Sequence, residues 1–203
     1  MHHIVLASNN TKKIAELEAL LAPLRLSVVS QGSLNIPETE EPFPTFVENA
    51  LTKARHAARL SGLPALADDS GLCVDALGGA PGTRSARYAG DPRSDARNNA
   101  ALLKAMAHLT QAEQRRARFV CVLAFLRHAD DPQPLLFQGE WAGEIVQVAA
   151  GDGGFGYDPL FWDPALESTA ANLPPHLKNA RSHRGQAMAQ LCVALSTLHL
   201  PTG

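Results

Sequence analysis

Asp68 and Asp69 stand side by side after the apolar approach Pro64-Ala65-Leu66-Ala67 and before Ser70-Gly71. Two adjacent anions repel, and a divalent cation such as Mg²⁺ offsets that repulsion. A hard oxygen-ligand pair of this kind suits the chemistry of a triphosphate. Placed at a strand's end the pair can serve a metal or acid-base chemistry; the alternatives are a structural turn or an exposed acidic pair. Glu38-Thr39-Glu40-Glu41 offers one more oxygen ligand, although an acidic loop also serves solubility alone. The opening Ser8-Asn9-Asn10-Thr11-Lys12-Lys13 lacks the GxxxxGK[ST] frame of a P-loop. A strand ending at Ser8, a polar turn and Lys13 on the first helical turn would still offer phosphate a hydroxyl, amides and an ammonium. Taken alone, an ordinary helix cap with a surface lysine is the plainer reading of the same residues. Lys53, on the helix that carries Glu48 and Asn49, has the reach to bind phosphate or can be a solvated helix residue, while Glu48 and Asn49 can cap or cross-brace.

Gly151 to Phe161 reads GDGGFGYDPLF, with Gly153, Gly154 and Gly156 around Phe155. Glycines let the backbone turn sharply and approach a planar ligand while the aromatic ring supplies stacking area. Tyr157, Asp158 and Pro159 stiffen and polarise the same stretch. A hairpin crossing with a buried aromatic is the competing reading. Lys178-Asn179-Ala180-Arg181-Ser182-His183-Arg184-Gly185 gathers cations at the entrance to the last helix. Arg184 can give a fixed fork to a purine carbonyl or ring nitrogen, and His183 can donate or accept according to its tautomer. The bland alternative is a solvated helix entrance. His108, His128 and His199 form no zinc-ligand series.

These residues need elements to hold them. His3–Ser8 reads as a buried strand, followed by a helix over Lys12–Leu21 and, beyond Pro23, a second strand over Leu26–Val29. Thr45 with Glu48 three residues later opens the clearest helix, which ends at Gly62. A further helix is expected over Ala96–Leu109, and the nearly continuous apolar run Arg118–Leu126 is a central strand covered on both faces. Leu135–Phe137 and Glu144–Val148 read as two weaker strands with a glycine-flanked turn between them, and Gly185–Leu198 as the last helix. The alternation of strand and helix implies an α/β fold, with all 203 residues in one domain.

Lys and Arg number 18 against 20 Asp and Glu, so a long nonspecific nucleic-acid track or a polybasic membrane surface is not expected. Aromatic residues at 5% argue against an RNA-binding module. Cys73, Cys121 and Cys192 lie far apart, form no CxxC pair and read as buried reduced thiols. Without a signal-peptide pattern or an apolar run of spanning length, the expected compartment is the cytoplasm.

Together the motifs resemble the inosine triphosphate pyrophosphatase family, the Ham1-like noncanonical purine nucleoside triphosphate pyrophosphatases. The resemblance rests on Ser8-Asn9-Asn10-Thr11-Lys12-Lys13, on Thr45-Phe46-Val47-Glu48-Asn49-Ala50 with Lys53, and on Ala67-Asp68-Asp69-Ser70-Gly71-Leu72. Gly154-Phe155-Gly156-Tyr157-Asp158-Pro159 and Ser182-His183-Arg184-Gly185 complete it, and it spans about His3 to Leu198. It implies an elongated, two-lobed α/β fold around a long mixed β-sheet, a nucleotide cleft between the lobes, and a homodimer. The implied reaction is Mg²⁺-dependent hydrolysis of ITP, dITP or XTP to the monophosphate and pyrophosphate, removing deaminated purines from the nucleotide pool.

Carried onto this sequence, Asp69 resembles the family's catalytic aspartate and, with Glu41, its metal ligands, while Asp68 supports the acidic site. Ser8 to Lys13 (Asn9, Asn10, Thr11 and Lys12 between them) and Lys53 resemble the phosphate contacts, and Ser70 the adjoining substrate loop. Phe155, Gly156, Tyr157 and Asp158 resemble the base-binding loop, with Lys178, His183 and Arg184 completing the nucleotide contacts. The sequence departs from the family pattern at Ser8-Asn9-Asn10, where Thr-Gly-Asn is frequent, at Pro42-Phe43, where Thr-Gly is frequent, and at Asn172, where an acid is usual. A Maf-like nucleotide pyrophosphatase and a nucleotide-binding regulatory protein without turnover are the other readings. The FGYDP and SHRG segments favour the purine enzyme over the first, and Lys13, Asp68 and Asp69 favour it over the second.

Overall fold

In the computed structural model, which describes residues 3–22 and 27–197, Ile4, Val5 and Leu6 are buried side by side in β1 (His3–Leu6). The strand stops at Leu6 rather than Ser8 because the Ser8 amide turns back onto the Leu6 carbonyl. Asn10 then caps α1 (Thr11–Leu21), its side chain accepting from the amides of Lys12 and Lys13, both at 3.1 Å. β2 (Ser27–Ser30) pairs parallel with β1. The expected positions Pro23, Leu26, Leu198 and His199 lie outside the described residues.

The helix expected after Thr45 is α2 (Phe46–Ser61), with Thr45 as its N-cap and Gly62, at φ +69°, as its C-cap. Its buried face is small, with Ala50, Ala54, Ala57 and Ala58 packed against Val5, Ala65, Ala67, Val122 and Ala124. A helix faced with alanine lies close to its sheet, and the (i, i+3, i+4) spacing puts Asn49 and Lys53 on that same side. Next comes β3 (Ala65–Val74), which runs unbroken through both carboxylates, so Asp68 and Asp69 sit within a strand and not at its end. A strand can continue past two buried acids when cations meet them, as they do here.

Among the described residues, seven strands are ordered β2-β1-β3-β4-β5-β6-β7, with parallel pairing at the β2-β1-β3 side and antiparallel pairing from β5 to β7. The run expected as the central strand is β4 (Arg116–Leu126), buried almost throughout. The two weak strands expected around residues 135–148 are one strand, β5 (Leu135–Ile145). Gly143, read as turn material, marks a close approach: a Cβ there would lie 2.4 Å from the Trp162 carbonyl oxygen and 2.6 Å from Phe161 Cζ. The intruding residues belong to β6 (Phe161–Asp163), which with β7 (Ser168–Thr169) is too short to leave a periodic signal.

α3 (Asp95–Ala105) ends four residues before the expected Leu109. The buried guanidinium of Arg115 takes the carbonyls of Met106 and Leu109 at 3.1 and 2.8 Å, satisfying the turn that follows the helix. Pro175 opens a short helix, α4 (Pro175–Arg181), and after extended Ser182 the last helix, α5 (His183–Thr197), begins two residues before Gly185.

The chain forms two compact units, Met1–Asp69 with Cys121–Gly139 and Arg184–Gly203, and Ser70–Val120 with Glu140–His183. The first has two apolar clusters, one around Leu6, Leu17, Leu66, Leu123 and Leu191 and the other on the alanine face of α2. The second is built around Leu102, Phe119, Trp141, Tyr157 and Phe161. Cys73 and Cys121 are buried and Cys192 is half-buried, all as free thiols. Among the described residues, no helix is long and apolar enough to cross a membrane.

Candidate active site

Asp68 and Asp69 point to opposite faces of β3, as neighbours in a strand must, and meet different cations. Asp68 has no exposed side-chain surface; its Oδ1 accepts from Lys13 Nζ at 2.6 Å and its Oδ2 from Arg184 Nε at 2.8 Å. The Cys121 thiol, 3.3 Å away, donates to the same Oδ2. Burial alone would raise the Asp68 pKa, but Arg184 and Lys13 outweigh it and hold the carboxyl well below the usual range. Burial beside that carboxylate pushes the Cys121 thiol far up, so it stays a protonated donor. Arg184 is 3% exposed, and its other arm donates to Glu16 Oε2 at 2.5 Å. Thus Arg184, expected to read a base edge, has two of its nitrogens on carboxylates. Lys13 and Glu16, three residues apart on α1, face the same network.

Asp69 is held differently. Its Oδ1 accepts from Lys53 Nζ at 2.7 Å, while Oδ2 is buried and has no hydrogen-bond partner among the described residues. Lys53 also donates to Glu41 Oε1 at 2.8 Å and to the Asp68 carbonyl at 2.9 Å. Burial raises the Asp69 pKa, and the opposing pull of Lys53 does not cancel the rise. Lys53 goes up as well: burial works against its charge, but Asp69 and Glu41 overcome it. The α2 helix supplies both Lys53 and the brace for the loop of Glu41. Buried Asn49 accepts from the Phe43 amide and donates to the Phe43 carbonyl, both at 3.0 Å, fixing the Pro42-Phe43 segment through its backbone. Thr45 and Glu48 form the cap of the same helix.

A buried carboxylate oxygen without a donor, beside a second carboxylate on the same ammonium, fits a hard divalent cation. Among the described residues no group of three His, Cys, Asp or Glu side chains is placed to hold a metal. Glu41 and Asp69 would therefore supply part of a coordination shell, with substrate oxygens and water completing it, as is usual for Mg²⁺. At the opening segment, Ser8 is half-buried and Asn9, Thr11 and Lys12 are exposed, while Asn10 is engaged by its cap. Asn9 lies against Gly32, where a Cβ would come 2.8 Å from its Oδ1. Ser70 is half-buried in β3 directly after Asp69.

In the second unit, the glycine-rich loop folds around Asp158. Its Oδ2 accepts from the Phe155 amide and from Lys178 Nζ, each at 2.8 Å, and that ammonium lies 5.1 Å from the centre of the half-buried Phe155 ring. A Cβ on Gly154 would sit 2.1 Å from Asp158 Oδ2, and φ is +71° there, so only glycine suits the position. Gly154→Ala should therefore evict the Asp158 carboxylate from two bonds. We expect a melting temperature lowered by an amount equivalent to about 1–3 kcal/mol, read by thermal melts of parent and variant. Tyr157 is core rather than lining: it is 3% exposed and its hydroxyl donates to the Ser85 carbonyl at 2.8 Å. His183 is also buried, stacked on Phe119 with ring centres 4.9 Å apart.

Glu16 and Cys121 hold parts of the site without belonging to any motif in the sequence, while Asn49 takes the cross-bracing role expected of it. The (i, i+3) spacing of Lys13 and Glu16 was an available signal, whereas the reach of Cys121 to Asp68 depends on strand pairing. Comparison with known proteins agrees with the motif reading. A dITP/XTP pyrophosphatase of Ralstonia nicotianae is 62% identical over 194 residues, covering 94% of this chain and 95% of that protein. A dITP/XTP pyrophosphatase of Aromatoleum aromaticum is 60% identical, covering 97% and 98%. The structure of a HAM1 protein from Coxiella burnetii superposes with a TM-score of 0.90 at 48% identity, over 98% of this chain and 100% of the other. The model of the Ham1 family matches residues 4–194, and the chain belongs to that family.

Proposed function

We propose that this chain hydrolyses ITP, dITP and XTP to the nucleoside monophosphate and pyrophosphate in the presence of Mg²⁺. It thereby clears deaminated purines from the cytoplasmic nucleotide pool, acting as a homodimer. The observation that carries the reading is Asp69, a buried carboxylate with one oxygen anchored on Lys53 and the other without a donor among the described residues. The names of the relatives, dITP/XTP pyrophosphatases, support the substrate class.

Bound Mg²⁺ supplies charge screening for the triphosphate, and Glu41 and Asp69 are the residues that would hold it. Asp69 orients a water toward the α-phosphorus and takes its proton. The new bond forms between the water oxygen and the α-phosphorus, the bond from the α-phosphorus to its bridging oxygen breaks, and pyrophosphate leaves. Lys53, kept cationic by its two carboxylates, and Lys13 stabilise the charge on the phosphates. The segment from Ser8 to Lys12 borders the phosphates, and Ser70 the adjoining part of the substrate.

Phe155 stacks on the base, and Asp158, Lys178 and His183 of the same unit contact the nucleotide, while Arg184 acts by holding Asp68 and Glu16. Stacking cannot choose among purines, since every purine has a face. Selection falls to polar groups: adenine meets mismatched donors, and the 2-amino group of guanine is left unsatisfied. Each unmet buried hydrogen bond costs about 1–3 kcal/mol, or about five-fold to more than a hundred-fold in discrimination. Turnover of dITP in ¹⁸O-labelled water tests the reaction. Label in the monophosphate and none in pyrophosphate, lost on adding a chelator, is expected; label in pyrophosphate, or an undiminished rate with chelator, would contradict it.

A further inference from the structure

Gly156, next to the stacking residue Phe155, is held on both sides by one helix. Its amide donates to Asp95 Oδ2 at 2.7 Å, and its carbonyl accepts from Asn99 Nδ2 at 3.1 Å. Asp95 and Asn99 are four residues apart, so α3 presents them on one face. The two bonds fix both peptide planes flanking a glycine at φ +62°, and with them the direction in which Phe155 leaves the loop. The helix is itself tied down. Asn98 donates to the Ser85 and Ala86 carbonyls at 3.3 and 3.0 Å and accepts from the Ala89 amide at 2.8 Å, while Leu102 is fully buried. The Tyr157 hydroxyl lands on that same Ser85 carbonyl. Gly156 and Tyr157, directly after Phe155, are thus tied to α3 and to the turn that anchors it.

We infer that Asp95 and Asn99 are positioning residues for the base-stacking loop, acting on substrate affinity through Gly156 without touching the reacting atoms. The inference rests on the proposed function. A loop of this composition is otherwise free to sample many conformations, and ordering it at the moment of binding would weaken affinity. Holding it beforehand lowers KM and leaves the chemistry at Asp69 unchanged.

Asp95 is also an acid in the first turn of α3, where its charge favours the helix. Asp95→Asn separates the two roles, since it loses the charge and keeps an acceptor for the Gly156 amide. The test is steady-state pyrophosphate release from dITP by the full chain and by Asp95→Ala, Asp95→Asn and Asn99→Ala, with thermal melts of each. We expect Asp95→Ala and Asn99→Ala to raise KM about five- to ten-fold with kcat within about two-fold, and Asp95→Asn to return KM to near the parent value. A KM unchanged in both alanine variants, a fall in kcat alone, or no rescue by Asp95→Asn would overturn the inference. If Asp95→Ala does not fold, Asn99→Ala and the Asp95→Asn comparison decide. Failure of the parent chain to turn over dITP, XTP or ITP would instead overturn the proposed function, and this inference with it.

Discussion

Asp69→Asn is expected to lower turnover of dITP by about 10²–10⁴-fold while the folded chain melts within about 5 °C of the parent. The amide keeps the size of the carboxylate and can still accept from Lys53, whose charge remains opposite Glu41. Under the proposed mechanism it removes the proton acceptor and a metal-holding oxygen, at a position where Asp69 Oδ2 has no hydrogen-bond partner among the described residues. Burial already disfavours the charge on Asp69, so neutralising it has little effect on folding. Turnover within about ten-fold of the parent, measured as pyrophosphate release alongside a thermal melt, would remove Asp69 from the chemistry.

The neighbouring substitution acts in the opposite way. Asp68→Asn leaves Arg184, almost fully buried, and Lys13 without the carboxylate they share. Breaking a buried pair by removing one partner costs about 3–5 kcal/mol, or about 6–20 °C in melting temperature for a chain of this size. The sign with pH follows from the depressed pKa. The contribution of Asp68 is complete above its ordinary value of 3.8 and is lost as pH falls through the lower value it has in the fold. The stability gap between parent and Asp68→Asn should therefore be constant from neutral pH down to about 4 and close only below it. A gap that closes near pH 6, or none at neutral pH, would show that Asp68 is not the anchor described. Two adjacent aspartates thus divide the work, one holding cations in place and the other left with an open oxygen.

That division was only partly legible in the sequence. The motifs carried the family, the helix after Thr45 was readable to its caps, and the apolar run into β4 was plain. The pairing of Asp68 with Arg184 was not, because it joins residues 116 apart in the chain. Arg184 looked like a base reader, whereas two of its nitrogens meet Asp68 and Glu16. Tyr157 looked like pocket lining because the glycines around it suggest an open loop, yet its ring is core and its hydroxyl is taken by Ser85. Gly143 misled in a related manner. A glycine in a strand reads as a break, and the reason for it, the approach of Trp162 and Phe161, lies on another strand. Local signals carried the elements; burial and long-range charge pairing were beyond them.

A pyrophosphate-releasing enzyme for deaminated purines is tested most directly by pyrophosphate release from equal concentrations of ITP, XTP, dITP, ATP, GTP and pyrimidine triphosphates, with Mg²⁺ and with chelator. Mg²⁺-dependent release from ITP, XTP and dITP is expected, matched by the nucleoside monophosphate, with ATP and GTP far slower. A preference for pyrimidine triphosphates, or nucleotide binding without turnover, would contradict it.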